Sequence, residues 1–114
     1  YDEAIERLML ALSMDNLDNK EKQVANHKIG QAFFHIKAFD SALEYLNTSL
    51  PFDPDNSEVL FTLGKVHLAM GEYCIAAETL SKARHADEYA GNGQTKEISK
   101  WLQIARISAG KSCR

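Results

Sequence analysis

The sequence predicts an all-α fold built from repeated helical hairpins, and three observations support this prediction. Two glycines, Gly30 and Gly64, lie 34 residues apart, and the same apolar positions recur around each of them. Apolar residues on both sides of these glycines follow the spacing of a helix face. The chain also lacks the strand pattern that would build an α/β enzyme. We therefore expect stacked pairs of helices.

Two segments of the chain match each other at the 34-residue offset. In this register Ile29-Gly30 matches Leu63-Gly64, and the other pairs are Phe33 with His67, Phe39 with Tyr73, Ala42 with Ala76, Leu46 with Leu80, and Ser49 with Ala83. A third, partial copy opens the chain, where Tyr1, Ala4, Ile5, Leu8 and Ala11 match Tyr73, Ala76, Ala77, Leu80 and Ala83. So many matches at one offset indicate an internal repeat.

In its period and motif this repeat resembles the tetratricopeptide repeat. The second copy is the closer match, and its family positions are Leu63-Gly64, Gly71-x-Tyr73, Ala76, Leu80 and Ala83. It departs at His67, where an aromatic residue is usual, and at Glu88, where the repeat usually ends in proline. The first copy keeps Pro54 but departs at Asn26 and at Lys37, the position of Gly71 in its twin. The resemblance implies a right-handed solenoid of helical hairpins with about six helices.

The repeat pattern divides the chain into four parts within one domain, residues 1–114. Residues 1–16 match the second helix of a truncated repeat, 19–54 and 55–88 are repeats, and 94–109 form a capping helix. At 114 residues, of which 45% are apolar, the chain is long enough to bury a core. Because it enters a repeat halfway and begins with Tyr1, we expect it to be a fragment of a larger repeat protein.

The two repeat glycines predict a close approach between helices. Glycine inside a helix costs roughly 1 kcal/mol relative to alanine, so its missing side chain must be useful there. We expect Gly30 to pair with Ala42 and Gly64 with Ala76, surrounded by larger apolar side chains.

Local signals place the helices in order. The expected bounds are about Asp2 to Ser13, Lys20 to Ile36, Asp40 to Leu50, Ser57 to Met70, Tyr73 to His85 and Thr95 to Ala109. Asp18 with Glu21, and Asp55 with Glu58, have the spacing of capping boxes at the starts of the second and fourth helices. Glu88 replaces the terminal proline, so the fifth helix is free to continue past its usual end. The Ala90-Gly91-Asn92-Gly93 stretch then predicts a turn before the last helix.

Both end helices carry apolar residues beyond a single packing face. On the first helix, Ile5, Leu8 and Leu12 are expected to pack on the second helix, while Met9, Leu10 and Met14 face elsewhere. This uncovered apolar patch has two explanations. Either the helix that would cover it is missing because the repeat is truncated, or the patch serves self-association through the truncated N-terminal repeat. On the last helix, Ile98, Trp101, Leu102 and Ala105 form the covering face, and Ile104 and Ile107 lie off it. A cap is expected there, with a further repeat or a partner contact as alternatives.

The family resemblance implies a peptide groove formed by the first helix of each hairpin. Its candidate residues are Val24, His27, Lys28, Gln31, Phe34 and His35 on the second helix, and Glu58, Phe61, Thr62, Lys65, Leu68 and Ala69 on the fourth. Phe34, Phe61 and Leu68 would give an apolar floor surrounded by polar donors. Such a mixture suits an extended or helical peptide, and the alternative is that the phenylalanines are core residues.

Three functions follow from this interpretation. The leading one is a protein–protein interaction scaffold that binds a peptide or partner subunit in the groove and helps assemble a multiprotein complex. The second is a co-chaperone arm that docks a heat-shock chaperone C-terminal tail through a carboxylate clamp. His27, Gln31 and Thr62 occupy the positions of the clamp lysine and asparagines, so that pattern is not met. The third is a regulatory appendage of an enzyme outside this chain.

Catalysis, cofactors, metals, nucleic acid and membranes are not indicated by the sequence. His27 and His35 lie eight residues apart without metal-ligand spacing, and no phosphate loop or nucleophile elbow occurs. A net charge of -3 gives no footprint for nucleic-acid binding. No apolar run reaches the length of a membrane span, and no signal-like segment precedes the first helix. We therefore expect a cytoplasmic or nuclear protein that is not an enzyme.

Overall fold

The computed structural model describes residues 2–14 and 16–110, and these residues form α-helices and one short 3-10 helix without any strand. The α-helices are α1 (Asp2–Leu12), α2 (Asn19–His35), α3 (Phe39–Ser49), α4 (Ser57–Ala69), α5 (Tyr73–Ala90) and α6 (Thr95–Ala109), and the 3-10 helix Leu50–Phe52 follows α3. The predicted all-α fold of six helices is confirmed. Two compact units divide the chain, Tyr1–Pro54 and Asp55–Arg114, which we call the N-terminal and C-terminal units.

The N-terminal unit is a hairpin of α2 and α3 with α1 packed on α2. Ile5 of α1 joins Ile29 and Ala32 of α2 in a buried cluster, against which Leu8, Met9, Leu12, Phe33 and Tyr45 pack. The expectation that Met9 faces away from this core is therefore wrong. Leu10 and Met14 are 64% and 54% exposed, as the helical spacing predicts.

The C-terminal unit is a hairpin of α4 and α5 that α6 covers by packing on α5. Its buried side chains come from all three helices and include Val59, Val66, Leu80, Ile98, Leu102 and Ala105. Ile98, Leu102 and Ala105 confirm the predicted packing face of α6, whereas Trp101 is only partly buried. Ile104 and Ile107 are 50% and 73% exposed, which agrees with their position off that face.

Each hairpin closes on its glycine, although the partner differs from the predicted one. A Cβ atom at Gly30 would lie 2.6 Å from Leu46 Cγ and 3.4 Å from the Ala42 carbonyl oxygen. A Cβ atom at Gly64 would lie 2.5 Å from Leu80 Cγ, and its other nearest atoms also belong to Leu80. The contact assigned to Ala42 and Ala76 is thus made chiefly by a leucine one helical turn later. A larger side chain has no room at either glycine.

The helix ends show which local signals the chain uses. The capping box at α2 is confirmed, because the Glu21 N–H donates to Asp18 Oδ1 at 2.8 Å and the Asp18 N–H donates to Glu21 Oε1 at 3.4 Å. At α4 the predicted cap is wrong by one residue, since Asn56 Oδ1 accepts the Val59 N–H at 3.0 Å. Without a proline, α5 runs past His85 to Ala90, and Gly91 caps it in the left-handed conformation.

A buried carboxylate joins the end of α5 to the start of α6. Asp87 is fully buried, and it accepts the Gln94 N–H at 3.0 Å and the Thr95 hydroxyl at 2.6 Å. The Asn92 side-chain amide donates to the Ser57 hydroxyl at 2.9 Å. These hydrogen bonds fix the turn that returns the chain onto its hairpin, so they set the position of α6.

Candidate functional site

The outward face of α2 carries most of the candidate residues of the N-terminal unit. Val24, Lys28, Gln31 and His35 follow one another at intervals of four, three and four, so they share one side of the helix. Val24, Lys28 and His35 are exposed, and Gln31 is partly exposed. This face therefore presents one apolar side chain together with cationic and amide donors.

Two other candidates on α2 are packed to a greater extent. His27 is buried. Phe34 is partly buried, and its ring lies 6.0 Å from the rings of both Phe39 and His35 at tilted angles. Phe34 thus helps to close the end of the hairpin while keeping part of its ring at the surface.

On α4 the candidate residues divide between surface and interior. Glu58 and Ala69 are exposed, while Lys65 and Leu68 are partly exposed. Phe61 and Thr62 are buried, and the Thr62 hydroxyl donates to the Glu58 carbonyl oxygen at 2.9 Å. Among the residues predicted on α4, a partner can therefore reach Glu58, Lys65, Leu68 and Ala69, whereas Phe61 and Thr62 are largely covered.

Lys65 has the most unusual environment of the candidate residues. Its ammonium lies 4.1 Å from the centre of the Phe61 ring and 5.4 Å from that of the Trp101 ring, within range of cation–π attraction. Burial lowers the pKa of Lys65 below its ordinary value, and the nearby Glu97 carboxylate opposes this effect. The structure therefore holds a cation against two aromatic faces on the surface of the C-terminal unit.

Trp101 and Glu97 were absent from the predicted set. The sequence placed Trp101 on the buried face of the last helix, because its spacing from Ile98 and Leu102 fits that face. In the structure α6 also contacts α4, which brings the Trp101 ring to Lys65. The one feature of the sequence that could have indicated this contact is the position of Trp101, its single tryptophan, at the edge of an apolar helix face.

Comparison with known proteins identifies the repeat. No family model matches the chain. Over 83 residues, or 73% of its length, the chain is 31% identical to the TPR repeat-containing protein MJ1428 of Methanocaldococcus jannaschii, and it spans 14% of that relative. The fold is similar to that of protein BPP2914 from Bordetella parapertussis, with a TM-score of 0.74, 28% identity and coverage of 92% and 89% of the two chains. The chain belongs to the tetratricopeptide-repeat family.

The fold is also similar to that of a solved tetratricopeptide domain. It is the TPR2B domain of yeast Sti1, whose structure is a complex with pHsp70. The TM-score is 0.72 at 23% identity, and the match covers 75% of this chain and 70% of that one. Tetratricopeptide repeats are protein-interaction modules, so the exposed faces of α2 and α4 are the surfaces to consider for binding.

Other polar groups in this tetratricopeptide chain have structural partners. His67 Nδ1 lies 3.0 Å from Glu72 Oε1, which links the end of α4 to the residue before α5. Among residues 2–14 and 16–110, no group of three or more His, Cys, Asp or Glu side chains could hold a metal ion. No helix in this part of the chain is both long and apolar enough to span a membrane.

The N-terminal unit also contains a cavity of about 380 Å³ between α1 and α2. Its lining residues are Leu8, Ala11, Leu17, Asp18, Lys20, Glu21, Val24, Ala25 and Lys28. Val24 and Lys28 thus belong to both this cavity and the outward face of α2. The cavity has an apolar floor and charges of both signs at its edge, so it extends that face toward α1.

Proposed function

We propose that this chain is a protein-interaction scaffold that binds a peptide or partner subunit along the first helix of each hairpin and helps to assemble a multiprotein complex. The observation that carries the proposal is the outward face of α2. Val24, Lys28 and His35 are exposed there, while Ile29 and Ala32 of the same helix are buried in the core. A surface that combines apolar contact with several donors suits the alternating side chains of a peptide.

A peptide-display selection on the immobilised protein tests this proposal. Selected peptides are expected to bind the wild type and to lose about tenfold or more in affinity for a Val24→Arg variant, because a long cation would block the α2 face. Ile75→Arg is the matched control, since Ile75 is 46% exposed on α5 and Val24 is 37% exposed on α2. Equal losses in both variants, or failure to select any peptide, would contradict the proposal.

Docking of a chaperone tail is the second candidate, and the pHsp70 complex of the yeast Sti1 domain is the observation that favours it. The residues at the clamp positions give it little support, because His27 and Thr62 are buried. Titration with an acidic C-terminal peptide, as the free carboxylate and as the amide, separates the two candidates. Equal affinity for the two forms would remove chaperone-tail docking, because the clamp depends on the terminal charge.

We propose in addition that the chain has no catalytic activity of its own. Its membership of the tetratricopeptide family supports this view, because these repeats act through binding surfaces. The cytoplasmic location expected from the sequence stays a prediction, which imaging of a fluorescent fusion would test.

A further inference from the structure

In the C-terminal unit, the cationic side chain of Lys65 lies outside the buried core and against two aromatic rings. Lys65 is partly buried on α4, and its ammonium lies 4.1 Å from the Phe61 ring centre and 5.4 Å from the Trp101 ring centre. The core of the unit is formed by other residues, such as Val66, Leu80 and Leu102. The Lys65 ammonium has therefore lost part of its hydration, although it is not part of the apolar core.

The charge of Lys65 is only partly balanced. Among the described residues no carboxylate lies within ion-pair distance of its ammonium, and the carboxylate whose charge raises the pKa of Lys65 is that of Glu97, beyond this distance. The ring faces attract the cation but cannot accept its three N–H donors as an oxygen would. Lys65 therefore keeps donors for an anionic acceptor, and the rings restrict its motion before any ligand arrives.

The surroundings of this cation are apolar. Leu68 is partly exposed one turn along α4, and Ile104 is 50% exposed one turn along α6 from Trp101. An anion that approaches Lys65 would bring its neighbouring groups against these side chains. The best fit is thus a carboxylate carried by a segment with apolar residues beside it.

A singly charged group suits the site better than a phosphate. Glu97 already places one negative charge near Lys65. A dianionic phosphate would meet stronger repulsion from Glu97 than a carboxylate would, and a single lysine provides no second cation to offset it.

We propose that Lys65, Phe61 and Trp101 form a subsite for an acidic side chain of a peptide partner, with apolar partner residues packing on Leu68 and Ile104. This inference rests on the proposed interaction function and specifies the chemistry of the partner. It also extends the binding face from α4 onto α6, for which the sequence pattern favoured a cap and left a partner contact as an alternative.

Peptides selected by display on the wild-type protein test the subsite. Each is synthesised with Glu and with Gln at its acidic position, and also with phosphoserine there. Binding is followed by the fluorescence of Trp101, the one tryptophan in the sequence. The Gln peptide is expected to bind about tenfold or more weakly, because it removes a charge-assisted hydrogen bond. Lys65→Met should cause a similar loss, and Lys65→Arg should retain most of the affinity.

Two further variants distinguish direct binding from a structural effect. Glu97→Gln is expected to tighten binding of the Glu peptide about twofold to fivefold, because it removes a like charge beside the ligand. Lys100→Met removes an exposed lysine of α6 and should change the affinity less than twofold. Circular dichroism of each variant verifies that the helices are intact.

The outcomes separate this inference from the function on which it rests. If peptides bind but the Gln form and Lys65→Met have no effect, the acidic subsite is wrong while the interaction function stands. A preference for phosphoserine over Glu would overturn the assignment to a carboxylate. Failure to select any peptide would contradict both proposals.

Discussion

The two hairpins of the chain share a close helix contact but differ in the contacts around it. At Gly30 and at Gly64 a leucine of the partner helix fills the space where a side chain would start. Phe33 of the first hairpin stacks on Tyr45, with 5.6 Å between ring centres. The matching position in the second hairpin is His67, which pairs with Glu72 instead.

The substitutions in the second hairpin form a consistent set. Thr79 stands where Tyr45 stands in the first copy, and Glu72 stands where the first copy has Ala38. The stacked aromatic pair of the first copy is thus replaced by a polar pair, in which His67 contacts Glu72 and not the residue that matches Tyr45. The glycine contact therefore defines the hairpin, whereas its surroundings can be filled by apolar or polar contacts.

Filling the glycine contact should lower the free energy of unfolding more than any other substitution proposed for the two hairpins. We expect Gly64→Leu and Gly30→Leu each to lower the free energy of unfolding by about 3 kcal/mol, because the new side chain must displace a buried leucine. The cost should be similar in both hairpins, since the distances to Leu80 and Leu46 are similar. Chemical denaturation followed by circular dichroism measures it.

Ala69→Leu is the control for added bulk, because Ala69 is exposed near the end of α4. This substitution should change the free energy of unfolding by less than about 0.5 kcal/mol. A Gly64→Leu variant as stable as the parent would show that the contact with Leu80 is not close in solution.

The second difference between the copies lies at two aspartates in matching positions. Asp87 lies near the end of α5, and Asp53 follows the 3-10 helix after α3. Asp87 is fully buried and accepts hydrogen bonds from Gln94 and Thr95, while Asp53, 34 residues earlier, is exposed. We expect Asp87→Ala to lower the free energy of unfolding by about 2 kcal/mol, because it leaves two donors without their acceptor. Asp53→Ala should lower the free energy of unfolding by less than Asp87→Ala does, because Asp53 is exposed to solvent. Denaturant titration of both variants makes the comparison.

Hydrogen exchange sharpens this prediction. Loss of Asp87 should speed exchange first at the start of α6, since the broken hydrogen bonds hold that helix end. Equal effects of Asp87→Ala and Asp53→Ala would contradict the role assigned to the buried carboxylate.

The sequence predicted the hairpins well because their signals are local. Helical spacing and the capping box of Asp18 depend on residues within one or two turns of each other, and the repeat period can be read directly from the order of residues along the chain. The errors occur where a choice depends on side-chain geometry. Asn56 caps α4 although Asp55 precedes it, and Leu80 fills the space at Gly64 that was assigned to Ala76.

The candidate binding faces were predicted less completely, because they depend on contacts between helices. The family resemblance gave Val24, Lys28 and His35 as candidates on α2, and all three are exposed. It could not show that Phe61 is buried under the ammonium of Lys65, nor that Trp101 reaches the same cation from α6. Periodicity describes the faces of one helix, whereas these arrangements arise from the packing of α6 beside α4.

Controls aside, substitutions in the turns that close the two hairpins should change the free energy of unfolding least. Lys37 has φ of 64° and Gly71 has φ of 79°, so both occupy the left-handed region at matching positions. The following amides donate similar hydrogen bonds of 2.9 Å, from Ala38 to Phe33 and from Glu72 to His67. The turns therefore have the same backbone shape, but only one of them has the residue that adopts it without steric strain.

Exchanging the two turn residues should shift stability in opposite directions. Lys37→Gly is expected to raise the free energy of unfolding by about 0.5 to 1 kcal/mol, because relief of the left-handed strain exceeds the added chain entropy of glycine. Gly71→Lys should lower it by about 1 kcal/mol for the same reason. Thermal and chemical denaturation of both variants measure the two changes. If Lys37→Gly instead destabilises the protein, the lysine side chain must stabilise the turn by more than the strain costs.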